Sequence, residues 1–216
     1  MDAETLLDQI ERRPVAGEQM SFEQLETPDA RPAEVEPEGE AEAEKPSAPV
    51  TGRHQDVRLY LTVLLKTFVE LTDAGLVRDA PFQVRLDDGR TFVPDIIFVA
   101  YSNFDRVHET HIEGPPDIAV EVSSPESCAL DRGEKFVAYE AAGVREYWLI
   151  DPVRELVNLY HLGPDGYYDE FRPDTAGRLR SRVLKGFVLD GGTLWRRVLP
   201  TTMEIVEMVR SMLNPR

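Results

Sequence analysis

The chain has one cysteine, Cys128, among its 216 residues. No internal disulfide can form and a cysteine-rich zinc site is excluded. Such thiol economy fits a reducing compartment, so a cytoplasmic protein is expected. Long apolar runs are also lacking. No stretch reaches the ~18 apolar residues that mark a membrane-spanning helix, so no membrane association is expected. The opening MDAETLLDQIERR carries acids and no extended apolar segment, unlike a secretory signal. Positive charge is scarce: 24 Lys and Arg stand against 40 Asp and Glu, for a net charge of −16. That balance argues against a broad phosphate-binding surface. The deficit is uneven, with 14 acids and 4 bases in residues 1–50 but 26 acids and 20 bases in the remainder. A cluster of metal-binding carboxylates would add acids locally.

What is present divides the chain into three parts. Residues 1–13 could form a short helix with Leu6, Leu7 and Ile10 on one side. Residues 28–50 are rich in Pro, Glu and Ala and nearly free of large apolar side chains, a composition that cannot offset the entropy of ordering. Residues 1–50 are therefore expected to be an acidic, largely disordered arm. Residues 51–200 are expected to fold as one domain. Residues 201–216 are expected to supply a C-terminal amphipathic helix, with Met203, Ile205, Val206, Met208, Val209 and Leu213 apolar, packed on the core or on a dimer partner.

Within the domain, Val57, Leu61, Leu64, Leu65, Phe68 and Leu71 recur at helical spacing, which predicts a helix over 53–73 with Gly75 as its stop. FQVRL, the Asp87–Gly89 turn and TFVPDIIFV read as a hairpin. PDIAVEVSS reads as a strand, 128–142 as a helix ended by Gly143, and EYWLI as a buried strand. LVNLYHL, YYDEF and RVLKGFVL read as further antiparallel strands. No internal repeat is visible. This order fits an α/β (α+β) domain with a central mixed sheet.

Chemistry concentrates in three places. Pro94-Asp95 sits among Val93, Ile96, Ile97, Phe98 and Val99, where a carboxylate is costly unless paired and a proline implies an edge or bulge. In DIAVEVS, alternation places Asp117, Ala119, Glu121 and Ser123 on one strand face. Carboxylates on neighbouring strands repel one another without a cation, and an all-oxygen donor set suits Mg2+ or Mn2+. Asp131, Lys135 and Tyr139 share a helix face, from which Lys135 could reach back over the acids to assist a water or a phosphate. Each position also has a plainer reading. Asp95 or Asp117 could serve a turn, Glu121 could pair on an exposed sheet face, Lys135 could be a solvated partner of Asp131, and His54 could only cap its helix. His108, His111 and His161 show no ligand-like spacing to one another. Cys128 reads as a small packed residue rather than a nucleophile.

The stretches VPDIIFV, HIEGPPDIAVEVSSPES and DRGEKFVAYEAAGVREYWLIDP, together with the preceding TGRHQDVRLYLTVLLKTFVE, closely resemble the bacterial "putative restriction endonuclease" family of the PD-(D/E)xK nuclease superfamily. Four motifs occur in the right order between about Thr51 and Leu162. The resemblance implies a restriction-endonuclease-like core, in which a central mixed β-sheet is flanked by helices, here with extra antiparallel strands and a C-terminal helix. It also implies hydrolysis of nucleic-acid phosphodiesters, with DNA the expected substrate. Asp95 matches the metal-binding aspartate of the PD motif and Glu121 the acid of the (D/E)xK element. Ser123 stands where that element's lysine would be, which singles out Lys135 on the next helix as its substitute. The resemblance thus gives Asp95, Glu121 and Lys135 as catalytic and Asp95 and Glu121 as ligands of Mg2+ or Mn2+, with His54, Asp117, Ser123 and Tyr139 as candidates for a supporting shell. A short strand resembling ELIDGE usually precedes the first helix in this family, whereas here the region reads AEVEPEGEAEAEK. Cutting both strands would suit a homodimer. Two alternatives stand beside this reading: a non-catalytic interaction protein on the same fold, its acidic arm binding a basic partner, and hydrolysis of another phosphoester.

Overall fold

The computed structural model describes residues 51–124 and 127–214. The expected short helix and acidic arm in residues 1–50 lie outside them. Helix α1, Gly52–Thr72, starts at Thr51, whose side chain accepts the His54 N–H, and ends at Asp73 in the left-handed conformation. Its stripe of Val57, Tyr60, Leu61, Leu64, Leu65 and Phe68 is buried, the burial that helical periodicity anticipates.

Strands β1 (Gly75–Asp79), β2 (Gln83–Arg85), β3 (Thr91–Phe92) and β4 (Ile96–Ala100) follow. After a 3-10 turn at Tyr101–Arg106 come β5 (His111–Glu113) and β6 (Ile118–Val122). Helices α2 (Cys128–Arg132) and α3 (Glu134–Ala142) lead to β7 (Glu146–Asp151), β8 (Leu156–Leu162) and β9 (Tyr168–Phe171). The chain finishes with β10 (Arg178–Arg180), β11 (Val188–Asp190), α4 (Gly191–Leu194) and α5 (Thr202–Leu213). The main sheet has six strands in the order β1-β4-β6-β7-β8-β9. Only β6 and β7 run parallel in it, so it is a mixed sheet. A parallel pair requires a crossover, and α2–α3 is that crossover.

Central strands β6 and β7 are buried throughout. Alternate residues feed two cores. Ile96, Phe98, Val120, Trp148 and Ile150 pack with α1 and with Ile205 and Val209 of α5. Ile97, Val99, Ala119, Tyr147 and Leu149 pack with Ala138 and Tyr139 of α3 and with Val84 and Ile112 of the small β3-β2-β5 sheet. Helix α5 thus presents part of its apolar face to the core.

Four expectations need correction. TFVPDIIFV is two strands: β3 pairs with β2 in the small sheet, while β4 joins β1 and β6 in the main one. The break falls at Pro94-Asp95, where proline has no N–H to continue a ladder. The 128–142 helix is interrupted at Gly133, where a side chain would meet Ala129 O at 2.8 Å. RVLKGFVL is largely a turn, because the N–H groups of Arg182 and Val183 bond the buried Glu146 carboxylate, at 2.5 and 3.0 Å, instead of a neighbouring strand. Finally, Gly75 does not stop the helix but opens β1, an edge strand in which only Val77 is buried.

Candidate active site

The register of β4 on β6 pairs Ile96 with Val120, so the next residue back, Asp95, falls beside Glu121. Asp95 Oδ2 accepts the Val122 N–H at 2.8 Å. Helix α1 brings two more groups to Asp95: His54 Nε2 lies 3.7 Å from Oδ2 and Arg58 lies 3.8 Å from Oδ1. His54 and Arg58 are one helical turn apart, which puts both on the face that meets the start of β4.

The crossover brings the opposite side. Lys135 Nζ lies 3.0 Å from Glu121 Oε2 and 3.2 Å from Asp131 Oδ1. Tyr139 Oη donates to Glu121 Oε1 at 3.3 Å. The hydroxyls of Ser123 and Ser127 donate to Asp131 Oδ2, at 3.1 and 2.7 Å. The spacing Asp131, Lys135, Tyr139 survives the break at Gly133, so three consecutive turns point the same way.

Glu121 differs in kind from the buried acids outside this cluster. Asp117 accepts the Ala100 N–H and the Asn103 amide and pairs with Arg145. Glu146 is met by two backbone N–H groups, Ser181 and the Trp148 indole. Asp151 takes the N–H groups of Val153 and Arg154 and the Arg154 guanidinium. These three are structural acceptors whose demand is met. Glu121, at 3% exposure, receives no backbone N–H among the described residues and is met only by Lys135 and Tyr139. Burial raises its pKa from 4.5 to about 8; Lys135 opposes the rise, while Asp131 and Asp95 add to it. Burial works to lower Lys135, but Glu121 and Asp131 outweigh it and hold the ammonium protonated. Burial, then Glu121, pushes the Tyr139 phenol well above its ordinary value, so it remains a donor. One lysine thus serves two buried carboxylates with a third beside them, an arrangement that calls for further positive charge.

A family model described as "Uma2: Putative restriction endonuclease" matches residues 20–191. The chain belongs to the Uma2 family. The match begins upstream of the described residues and ends before α5. No curated protein matches the chain. Among solved structures, a crystal structure described as a putative nuclease belonging to DUF820, from Anabaena variabilis ATCC 29413, is similar, with a TM-score of 0.55 and 19% identity. The match covers 68% of this chain and 82% of that one. At that identity the likeness establishes the fold. The Uma2 assignment gives the chain a nuclease-like character, and the mixed sheet with flanking helices is the architecture expected for it.

Asp95, Glu121 and Lys135, together with His54, Ser123 and Tyr139, lie at the β4–β6 end facing α1 and α3. Asp117 does not join them. It precedes Glu121 by four residues, ~13 Å of strand, and ties β6 to the 3-10 turn and to Arg145. Arg58 is a participant that the sequence pattern signals only through its one-turn spacing from His54. Asp131 stands on the helix face expected for it with Lys135 and Tyr139, but at 1% exposure it is not a solvated partner. The histidines need a correction as well: His108 and His111 do converge, with Glu113, so that ligand atoms of the three lie within 4.8 Å of one another. His161 stays apart on β8, beside Phe171. A groove of about 900 Å3 between α5 and β10–β11 is lined by none of the site acids. No helix among the described residues is long and apolar enough to cross a membrane.

Proposed function

We propose that this chain is a divalent-metal-dependent endonuclease that hydrolyses phosphodiester bonds of DNA, with Asp95, Glu121 and Lys135 as its catalytic residues. The observation that carries the reading is Glu121, a buried carboxylate without backbone donors, flanked by Asp95 and Asp131 and sharing one lysine. The donor set fits a hard divalent ion, because Asp95 and Glu121 offer only oxygens. These two would hold Mg2+ or Mn2+. When bound, such an ion supplies Lewis acidity at a phosphoryl oxygen and a more acidic water.

The chain's own groups divide the remaining work. Lys135 sits between Glu121 and Asp131 with protons to donate, placed to hold a water or a non-bridging phosphate oxygen as negative charge develops. Asp131, fixed by two serine hydroxyls, keeps the ammonium from swinging away. Tyr139 donates to one oxygen of Glu121 and so fixes its rotamer. The Val122 N–H and His54 orient Asp95. Arg58, one-third exposed, lies where the backbone of an approaching strand would add a phosphate. One such centre cuts one strand, so a double-strand cut would use two chains.

Cleavage of supercoiled plasmid and of a short duplex, with Mg2+ or Mn2+, tests the proposal. Wild type is expected to cut and Asp95→Ala and Lys135→Ala are expected not to. Equal cutting by all three, or by none under varied salt and pH, would overturn it.

A further inference from the structure

We propose that His108, His111 and Glu113 form a binding site for one borderline transition-metal ion, Zn2+ or a close relative, separate from the Asp95–Glu121 carboxylates. The turn between Val107 and Ile112 creates it. These two residues form an antiparallel bridge, and His108 N–H donates to His111 O at 2.8 Å inside it. Directly opposed residues of an antiparallel pair present their side chains on one face. Residues two apart on a strand do the same, which adds Glu113 to the two histidines.

The donor atoms already face one another. His108 Nε2 lies 3.6 Å from Glu113 Oε2, and His111 Nε2 lies 3.7 Å from Glu113 Oε1. The two imidazoles stack with centroids 4.7 Å apart. Thr110 Oγ1 lies 3.3 Å from His111 Nδ1. A proton held on that nitrogen leaves the Nε2 lone pair free to ligate, the usual arrangement behind a metal-bound histidine. The backbone beneath is anchored, because Ile112 is fully buried and β5 pairs with β2 in parallel. His108 and Glu113 are exposed, so rotamer changes alone can close the donors to the ~2.0–2.2 Å of Zn–N and Zn–O bonds. Two imidazoles and one carboxylate favour zinc, nickel or copper over magnesium, and leave a position open to water. Arg85 Nη1, 3.4 Å from His111 Nε2, is the cation such an ion would displace. By linkage, an ion here would tie the turn to the small sheet and stabilise the fold.

Calorimetric titration of the full chain with ZnCl2, in excess MgCl2 to occupy oxygen-only sites and at neutral to slightly alkaline pH, tests this. Wild type is expected to bind one Zn2+ and to show a raised thermal midpoint. His108→Ala and His111→Ala are each expected to lose at least ~10-fold in affinity, since even outer-shell partners cost that much. Arg85→Ala is expected to bind more tightly than wild type. Absence of zinc binding by wild type, or wild-type affinity in both histidine variants, overturns the site. Asp95→Ala is expected to bind zinc as wild type does, which separates this result from the fate of the nuclease proposal.

Discussion

Glu121 and Lys135 are buried together, so the loss of either side chain has a measurable energetic consequence. Removing one member of a buried charged pair costs ~3–5 kcal/mol, because its partner is left uncompensated. Lys135→Ala is therefore expected to lower stability by about that amount in denaturant melts, while cutting the cleavage rate by ~100-fold or more as a charge-stabilising donor is lost. Asp131→Asn, which leaves the ligating acids in place, is expected to slow cleavage less than Lys135→Ala and to spare Mg2+ binding. The pH dependence follows from the raised Glu121. Its carboxyl titrates near 8 in the fold against an ordinary 4.5, so between these values the folded chain holds a proton that the unfolded chain has released. The associated stability is complete below the ordinary value and is lost as pH rises through about 8. Lys135, raised from 10.5, loses its contribution only at higher pH. Without divalent ions, the free energy of unfolding is expected to fall across that window, by on the order of a few kcal/mol, and the thermal midpoint with it. Glu121→Gln, or saturating Mg2+ with the wild type, is expected to flatten the profile.

The elements that position these residues depend on close backbone approach. A side chain on Gly75 would stand 2.1 Å from Val99 O, so Gly75→Ala cannot keep β1 on β4 without movement. It is expected to cost ~1–3 kcal/mol or more, the usual penalty of overpacking, in equilibrium unfolding. Leu61→Ala, which empties space in the fully buried face of α1, is expected to cost ~2–5 kcal/mol. Elements of this kind were unequally legible in the sequence. The first and last helices follow from apolar periodicity, because each turns an apolar face to the core, and β6 and β7 follow from apolar-rich runs that are buried throughout. β1 and β10 are edge or short strands with one buried residue each, too little for a periodic signal. The turn at 181–186 is set by Glu146, more than thirty residues away, and no local pattern reports a long-range carboxylate. The candidate site was legible as residue types and order, since Asp95, Glu121 and Lys135 sit in recognisable motifs. The pairing of His108 with His111 was not, because it depends on the turn that places them opposite each other.

The charge of the whole molecule shapes how it can meet DNA. At a net charge of −16, the chain and a polyanion repel beyond local contacts, and the bases paired with the site acids are Arg58 and Lys135. Binding of duplex DNA by Asp95→Ala is therefore expected to weaken only gently with added salt. The slope of log K against log salt should correspond to about one to three phosphate contacts rather than the six to ten of a basic DNA-binding protein. The largest share of that negative charge lies in residues 1–50, whereas the proposed chemistry lies within residues 54–139. On the proposed reading, half-buried Asp95 and buried Glu121 hold a divalent ion. Anomalous diffraction from crystals of the protein soaked in Mn2+ is the decisive measurement. A peak beside the Asp95 and Glu121 carboxylates is expected, absent from Glu121→Gln crystals treated alike. Manganese bound elsewhere while that position stays empty, or a peak unchanged in Glu121→Gln, would contradict it.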